Sequence, residues 1–419
     1  MPESIYRHLG VREWICAGGY LTRFGGNRPS ADVCAAMLAA LDGFVDMLDL
    51  QACASRAIAG HTGADAGIVT TGASAAMSLG AAAMLAGLDP VRMGSLPAAG
   101  ARSEILVPRT HRSSYDHALR AAGATLVDVG PNDVALNAGY RAVEAWEIEG
   151  AVTERTVGLF ATGQPESLEE IERLASVASR HGLPLLVDAA PWLPPRANLR
   201  RFLAAGATLV CFSGGKALGG PPGTGFLAGR RDLVLSALMQ QMDLTIVPRA
   251  LPEAFGEPGQ ITAWPRHGIG RGMKVSREQI VGLLVALDRF AGPQSDDDLS
   301  FMHHHLAQMQ SRIAQACPGF DVKLRSIEET RRRPLLEISL PSADAARKVC
   351  LELAQRTVPI QLSEHRIADG VLTVDPGNLL PDDYVCVTDA LISALGARAE
   401  KLPPALANLK PENMAKDGL

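Results

Sequence analysis

A lysine set between glycines is the residue with the most obvious chemical potential in this 419-residue chain. Lys216 lies just past the apolar run 209–212, after Ser213 and two glycines, in the segment LVCFSGGKALGGPPGTGFLAG. Burial lowers the pKa of an amine, and the neutral amine is a nucleophile that can form a Schiff base. The alternative is an ordinary lysine in a glycine-rich surface turn, and this segment alone does not decide between the two.

A carboxylate one strand-helix-strand unit upstream is the natural partner of this lysine. Asp188 ends the apolar run 183–187 in the segment LVDAAPW. Alone, such an aspartate is a metal ligand, a ribose binder, a structural cap or the partner of a ring nitrogen. Because both residues follow strands of one sheet, Asp188 and Lys216 should reach the same edge. An aspartate beside a protonated pyridine nitrogen keeps the ring electron-withdrawing, so the pair favours pyridoxal 5′-phosphate (PLP) as the cofactor.

A small-residue helix start supplies a candidate phosphate site. In IVTTGASAAMSLGAAAMLAG (68–87) an apolar strand runs into a helix, and Gly72, Ala73 and Ser74 lie at the junction. Free backbone amides and the helix dipole favour an anion there, and Ser213 could add a hydroxyl. The segment matches neither a Walker loop nor a GxGxxG fingerprint. Tight helix packing is the alternative interpretation.

A histidine follows another strand at the same edge of the predicted sheet. His111, in VPRTHRSSYDHALRAAGA (107–124), could stack on an aromatic cofactor ring or carry protons. An ordinary polar contact is the alternative. We therefore treat His111 as a candidate for both catalysis and cofactor binding.

Four cations are candidates for binding an anionic substrate. The basic, glycine-rich stretch RHGIGR (266–271) suits a loop that receives a carboxylate or phosphate. Surface or interdomain salt bridges are the alternative role. The candidates are Arg23, Arg271, Lys274 and Arg366.

The elements that must position these residues alternate regularly between residues 64 and 275. Short apolar runs bounded by Gly, Pro or Asp predict strands, and longer helical patterns lie between several of them; the predicted strands are 66–70, 104–108, 125–129, 156–161, 184–187 and 209–212. This alternation predicts an α/β fold with a mostly parallel sheet, in which ligands lie beyond the carboxyl ends of the strands.

The pattern changes after a strong helix at 276–289, for which Ser276 is a plausible N-cap. Residues 291–298 read as a turn or linker, and the strands and helices beyond predict a smaller α+β domain. The expected organisation is an N-terminal arm and helix (1–55), a large α/β domain (56–290), the small domain (291–398) and a loosely held tail (399–419).

Composition excludes several classes of protein. Forty Lys and Arg against 45 Asp and Glu give a formal charge of −5, which argues against nucleic acid as the main partner. Seven dispersed cysteines without a CxxC pair fit a reducing cytoplasm. The charged N-terminus is unlike a secretory signal, and no apolar stretch is long enough for a membrane span.

The run His303–His305 is expected to be solvated surface, so no metal site is predicted.

These motifs, in this order, resemble the fold-type-I PLP enzymes, in the branch that contains bacterial selenocysteine synthase and D-glucosaminate-6-phosphate ammonia-lyase. The resemblance spans roughly residues 14 to 396. It rests on the segments GGYLTRFGG, TTGASAA, HRSSYDHALRAAGA, LVDAA, SGGKALGGPPGTGFLAG and IGRGMKVSREQIVGLL.

The resemblance implies a role for each candidate. Lys216 would carry PLP through a Schiff base, Asp188 would pair with the pyridine nitrogen, and His111 would lie against the ring. Gly72, Ala73, Ser74 and Ser213 would receive the phosphate. It further implies at least a homodimer with the active site at the subunit interface, so that Tyr20, Arg23 and residues near Arg271 would serve the neighbouring site.

The expected activity is a PLP-dependent lyase that removes an α-proton from a small anionic amino acid or amino-sugar acid and releases ammonia and a 2-oxo acid. Racemase, aldolase, aminotransferase and selenium or sulfur transfer remain alternatives, as does a non-catalytic scaffold. The chain has Cys16-Ala17-Gly18-Gly19-Tyr20 where relatives of the ammonia-lyase usually have an Asn-Ala-Ala-Gly-like sequence, which leaves the substrate open.

Overall fold

The computed structural model describes residues 4–131, 142–163, 168–246, 250–256, 261, 263–330 and 333–399. The chain divides into two compact units. The larger unit is continuous, from Arg28 to Ser295. The smaller unit combines the described residues of Met1–Asn27 with those of Asp296–Leu419.

The strands, in chain order, are β1 (Ile15–Ala17), β2 (Ala66–Thr70), β3 (Glu104–Pro108), β4 (Thr125–Val129), β5 (Thr156–Thr162), β6 (Leu185–Asp188), β7 (Leu209–Ser213), β8 (Gly225–Gly229), β9 (Asp321–Arg325), β10 (Leu335–Ser339), β11 (Ile360–Leu362) and β12 (Val371–Val374).

The α-helices are α1 (Ile5–His8), α2 (Ala31–Leu41), α3 (Met47–Thr62), α4 (Ala73–Ala86), α5 (Pro90–Ser95), α6 (Asp116–Ala121), α7 (Ala145–Ala151), α8 (Leu168–Arg180), α9 (Asn198–Ala204), α10 (Arg231–Gln241), α11 (Arg277–Ala291), α12 (Gln294–Ala316), α13 (Ile327–Thr330), α14 (Ala343–Gln355) and α15 (Pro381–Ala399).

The larger unit is built on a seven-stranded sheet in the order β2-β8-β7-β6-β5-β3-β4. Strands β3 to β7 pair in parallel, whereas β8 is antiparallel to both β2 and β7. The predicted α/β class with a mostly parallel sheet is confirmed. Strand β8 is an addition that the sequence interpretation did not include.

Both faces of this sheet are covered, which explains why its inner strands are mostly apolar, whereas the edge strand β4 keeps Thr125 and Asp128 exposed. Alternate residues of β2 belong to different apolar clusters: Ile68 lies in one and Val69 in the other. On the first face packs α4, whose residues Ala75 to Ala86 are all buried. Its alanines and glycine let the helix approach the sheet closely, and a Cβ at Gly80 would lie 3.1 Å from Leu186.

The smaller unit contains an antiparallel sheet, β12-β10-β9, and a parallel pair formed by β1 and β11. Its helices α12, α14 and α15 contribute Leu306, Val349 and Leu391 to a common apolar core. The predicted smaller domain with an α+β organisation is therefore present, and β1 is part of it.

A largely buried ion pair lies inside the smaller unit, with about one eighth of each side chain exposed. The Arg333 guanidinium donates through Nε to Asp375 Oδ1 at 2.6 Å and through Nη2 to Oδ2 of the same carboxylate, and it lies 4.4 Å from the centre of the Tyr20 ring. Burial alone lowers the pKa of Arg333, but Asp375 and Tyr20 more than offset this effect, so its pKa lies above the ordinary value. Burial also raises the pKa of the Tyr20 phenol.

The observed division of the chain differs from the expected one in two places. Residues 294–298, assigned to a linker, are the first turn of α12, because the two acidic residues Asp296 and Asp297 suit a helix N-terminus. The expected N-terminal arm (1–55) is split: β1 belongs to the smaller unit because it pairs with β11, and α2 and α3 belong to the larger unit. Ser276 caps α11 as expected, through a capping box with Gln279. Residues 400–419 of the expected tail lie outside the described residues.

Candidate active site

Three neighbouring strands of the large sheet end in polar residues: Thr162 on β5, Asp188 on β6 and Ser213 on β7. Thr162 is paired in register with Asp188, which is paired in turn with Cys211, two residues before the end of β7. The strands run parallel, so all three residues lie at the carboxyl edge, where ligands bind in sheets of this kind. This edge is the centre of the candidate site.

The Asp188 carboxylate is anchored on one oxygen. Its Oδ1 accepts the backbone N–H of Ala190 at 2.9 Å and the thiol of Cys211 at 3.5 Å. No hydrogen bond from a described residue reaches Oδ2. Burial raises the pKa of Asp188, while the Ala190 and Cys211 hydrogen bonds and the positive charge of Lys216 act in the opposite direction. A desolvated carboxylate with an open oxygen suits a cationic N–H partner.

Lys216 lies in a turn directly beyond β7. The turn is closed by hydrogen bonds from Gly214 N to Thr224 O (2.8 Å) and from Gly219 N to Lys216 O (3.0 Å). A Cβ at Gly215 would lie 2.2 Å from Pro222 O, so only glycine permits this close approach of the two backbone segments. Burial and the neighbouring Asp188 carboxylate raise the pKa of the Cys211 thiol, and the positive charge of Lys216 acts in the opposite direction on Cys211 as it does on Asp188.

The predicted phosphate site is the N-terminus of α4. Gly72 is its N-cap residue and provides no side-chain cap, and the space beside its Cα is open. Strand β8 brings Gly225 against this loop: a Cβ there would lie 2.6 Å from Ala73 N, and Gly225 is paired in register with Ser213. Ser213 therefore lies beside the helix start, and the uncapped amides of a 14-residue helix are available to an anion.

His111 is placed at the same edge, directly after β3. Its side chain is 1% exposed, its Nδ1 accepts the backbone N–H of Thr162 at 3.2 Å, and its Nε2 lies 3.3 Å from Oε2 of Glu170. Through Thr162, His111 is thus one strand away from Asp188. The structure brings together Lys216, Asp188, His111 and the α4 N-terminus at one sheet edge.

The predicted substrate cations fall into two groups. Arg271 and Lys274 line a cleft of about 990 Å³ in the larger unit. Lys216, Asp188 and Gly72 are not among the described residues that line it, but the Thr71 hydroxyl, next to the α4 loop, donates to Met273 O at 3.2 Å. The cleft therefore adjoins the candidate phosphate site.

Arg271 is held by an acidic partner. Its Nη2 lies 2.7 Å from Oδ2 of Asp243, whose Oδ1 accepts the backbone N–H of Thr245. Hydrogen bonds from Thr245 and from Arg271 lower the pKa of Asp243. This arrangement orients a partly exposed guanidinium at the cleft.

Arg23 and Arg366 belong to the smaller unit. Arg366 donates from Nη1 to both oxygens of Glu337, at 2.9 and 3.0 Å, and from Nε to Asp369 at 3.3 Å. Arg23 lies 5.6 Å from the centre of the Phe24 ring. The positive charge of Arg366 is thus balanced by Glu337 and Asp369 of the same unit.

Two polar residues of the site were missed by sequence reasoning. Cys211 looked like one more apolar position of β7, and only the register with Asp188 gives it a polar role. Glu170 left a signal that could have been used: it lies four residues before Leu174 on α8, so an acidic residue occupies the buried stripe of the helix.

These residues fit PLP. A buried carboxylate with an open oxygen suits the pyridinium nitrogen, an uncapped helix start suits the phosphate, and a lysine lies in the turn that follows the adjacent strand. When bound, PLP supplies an electron sink for the bond that breaks at the substrate α-carbon. Among the described residues, no group of three histidines, cysteines or carboxylates converges in a way that could bind a metal ion. None of the described helices has the length and apolar composition that a membrane crossing requires.

Replacing Asp188 by asparagine should distinguish the effect of its charge on folding stability from its effect on PLP binding. Asn Oδ1 can still accept from Ala190 and Cys211, while the buried charge is lost. Burial raises the pKa of Asp188 in the folded protein above that of an ordinary carboxyl group. As pH rises between these two pKa values, the unfolded chain loses the proton first, so the cofactor-free wild type should become less stable. We expect Asp188→Asn to lack this pH dependence and to melt at or above the wild-type temperature near neutral pH.

The same variant should bind PLP about 10- to 100-fold more weakly, since a charge-assisted hydrogen bond is lost. Melting curves against pH and PLP titrations measure the two effects. A variant that is destabilised without PLP and binds PLP normally would contradict this role of Asp188.

Comparison with known proteins identifies relatives over most of the chain. The chain is 30% identical over 391 residues to the 5′-C-glycyluridine monooxygenase-decarboxylase of a Streptomyces species, covering 90% of this chain and 88% of that protein. It is 25% identical over 405 residues to the D-glucosaminate-6-phosphate ammonia lyase of Salmonella typhimurium, covering 93% and 98%. The L-seryl-tRNA(Sec) selenium transferase of Serratia proteamaculans is 34% identical over 135 residues, which cover 30% of this chain and 28% of that protein.

The model of the DegT/DnrJ/EryC1/StrS aminotransferase family matches residues 52–219. A solved structure of D-glucosaminate-6-phosphate ammonia-lyase superposes with a TM-score of 0.76 at 24% identity, covering 95% of this chain and 100% of that one. The predicted resemblance, the fold type and the PLP cofactor are confirmed.

Proposed function

Because the chain belongs to the fold-type-I family of PLP-dependent enzymes, we propose that it is a lyase that eliminates a β-substituent from an anionic amino acid or amino-sugar acid and releases ammonia. The observation that carries this proposal is the arrangement at one sheet edge of the half-anchored Asp188 carboxylate at the end of β6, the turn of Lys216 beyond the adjacent β7, and the uncapped N-terminus of α4. The similarity to an ammonia lyase over 93% of the chain supports the reaction class.

In this mechanism Lys216 has two successive roles. Its Nζ would hold the cofactor, and when it is not so engaged the amine would remove the substrate's α-proton. The proton then held on Nζ is available to a β-hydroxyl, which leaves as water. Hydrolysis returns that water and yields a 2-oxo acid and ammonia, so the net reaction needs no oxidant.

The remaining residues orient the reactants. Asp188 would keep the ring nitrogen of PLP protonated through Oδ2, and the α4 N-terminus with Ser213 would hold its phosphate. Arg271 and Lys274 receive the substrate anion, with Arg271 oriented by Asp243. These residues would orient the substrate with its α-C–H bond perpendicular to the PLP ring. This orientation selects proton removal over the other reactions that PLP supports.

The test is a screen of the PLP-loaded protein with β-hydroxy amino acids and with amino-sugar acids, phosphorylated and unphosphorylated. Release of ammonia and a 2-oxo acid in equal amounts, without consumption of dioxygen, supports the proposal. The relative that shares 30% identity is a monooxygenase-decarboxylase, which makes that chemistry the second candidate. Dioxygen uptake with carbon dioxide release from a glycyl nucleoside would favour it and contradict the lyase proposal.

Arg271→Ala should weaken substrate binding and leave the cofactor in place. Removing a charged hydrogen-bond donor should raise KM about 10- to 100-fold, with the bound PLP content unchanged. Steady-state kinetics and the visible spectrum measure the two quantities. Asp243→Asn is the matched control, because it frees the guanidinium and should have a smaller effect on KM. Wild-type kinetics in Arg271→Ala would remove this residue from the substrate site.

Assembly and location complete the proposal. We expect a homodimer, as in the fold-type-I pattern, and sedimentation of the PLP-loaded protein tests it. All seven cysteines are free thiols, which suits a reducing compartment such as the cytoplasm.

A further inference from the structure

The two ring nitrogens of His111 face different kinds of group. The backbone N–H of Thr162 donates to Nδ1 at 3.2 Å, and a nitrogen that accepts a hydrogen bond carries no proton. In a neutral imidazole the proton then lies on Nε2. The Thr162 contact therefore fixes which edge of the ring faces β5.

The protonated nitrogen faces an acidic side chain. Oε2 of Glu170, on the first turn of α8, lies 3.3 Å from Nε2, and both side chains are almost fully buried, with 1% and 3% exposed. The direction of approach falls short of a full hydrogen bond with a described residue, so the attraction is mainly electrostatic. A carboxylate at this distance stabilises the Nε2–H form and disfavours the opposite tautomer.

We propose that Glu170 is a positioning residue that, together with the Thr162 N–H, locks His111 as the neutral Nε2–H tautomer. His111 then serves the PLP site as a fixed aromatic face and not as a proton carrier. This inference rests on the proposed function only in taking PLP as the group that the ring faces. It decides between the two roles, stacking and proton transfer, that the sequence left open for His111.

The proposal requires both edges of the imidazole to be occupied. Thr162 is paired with Asp188, so the contact at Nδ1 ties the ring to the strand next to the carboxylate. Glu170 ties the opposite edge to α8. The edges are thereby used by the protein, and only the faces of the ring remain for contact with a planar cofactor.

The experiment compares Glu170→Leu, Glu170→Gln and the double variant His111→Phe/Glu170→Leu, with PLP dissociation constants and visible circular dichroism of the loaded protein as readouts. Glu170→Leu removes the charge that faces the buried Nε2–H, so that the ring loses its attraction to α8, and it should weaken PLP binding about 10-fold. Glu170→Gln keeps an acceptor and should stay within about 3-fold of wild type. Glu169→Leu, on the exposed side of the same helix, is the matched control and should change neither readout.

The double variant is the decisive case. Phenylalanine keeps a flat ring and needs no acceptor, so adding His111→Phe to Glu170→Leu should restore PLP affinity to within about 3-fold of wild type. It should also retain turnover within about 10-fold. Failure to restore PLP binding would show that Glu170 supports the fold and not the ring, and restored binding without turnover would show that His111 transfers protons; either result overturns the proposal.

The tautomer itself can be read without substrate. The measurement is a long-range proton–nitrogen NMR spectrum of protein labelled with ¹⁵N-histidine, recorded for wild type and for Glu170→Leu. In wild type, His111 should show the Nε2–H tautomer. An Nδ1–H or cationic ring in wild type overturns the lock. This readout stands even if no lyase substrate is found, so the failure of this inference is distinguishable from the failure of the proposed function.

Discussion

Lys216→Ala is expected to abolish the covalent attachment of PLP and to lower turnover about 10⁴-fold, the upper range for the loss of a general base. The variant loses both the amine that carries the cofactor and the amine that removes the α-proton. The wild-type protein should show a yellow absorption band that borohydride converts into a stable pyridoxyl-lysine, and the variant should show none. Absorption before and after borohydride, followed by mass analysis of the peptide that contains residue 216, measures this effect.

A second lysine serves as the control for this experiment. Lys323, on β9, is exposed and paired with Asp321 at 2.7 Å. Lys323→Ala should keep the band, the borohydride adduct and the activity. A borohydride adduct on any other lysine would contradict the assignment, and a protein that gives no band with added PLP would favour a non-catalytic scaffold.

The largest effect on stability is expected at the ion pair of the smaller unit. Asp375→Leu leaves Arg333 as a buried charge without its carboxylate, which should lower the free energy of unfolding by about 3–5 kcal/mol. The double variant Arg333→Met/Asp375→Leu removes both charges and should recover most of this loss. Denaturant titrations followed by circular dichroism and tryptophan fluorescence measure the change.

The exposed pair Lys348–Asp344 on α14 provides the comparison, since breaking it should have no measurable effect. If Asp375→Leu is as stable as wild type, the Arg333–Asp375 pair contributes nothing to the smaller unit. If the double variant is no more stable than Asp375→Leu, the loss comes from the carboxylate's other contacts, such as the backbone N–H of Gly377.

The large sheet could be predicted from the sequence almost strand by strand. Most of its strands are buried on both faces and therefore form continuous apolar runs in the sequence. The bounds of β2, β3 and β4 are as expected, and β5, β6 and β7 extend one residue past the expected end. That extra residue is Thr162, Asp188 or Ser213, a polar residue at the carboxyl edge. The local pattern thus located most of the candidate site as well.

Features that depend on distant partners could not be predicted. Strand β8 was missed because it is defined by hydrogen bonding to β2 and β7, and the local sequence does not show which strands pair with each other. The polar role of Cys211 depends on register with Asp188 in the same way. The boundary at residue 294 was misplaced because proline, glycine and acidic residues favour both a linker and the first turn of a helix.

Strand β1 pairs with β11 across a wide interval of sequence, since Ile15 lies opposite Ile360. At a synthesis rate of about 5–20 residues per second, the ribosome delivers the second strand roughly 20 to 70 seconds after the first. The larger unit, contiguous from Arg28 to Ser295, is complete before then and can fold while translation continues. The smaller unit closes last, because β1 has no partner on the nascent chain until β11 has been synthesised.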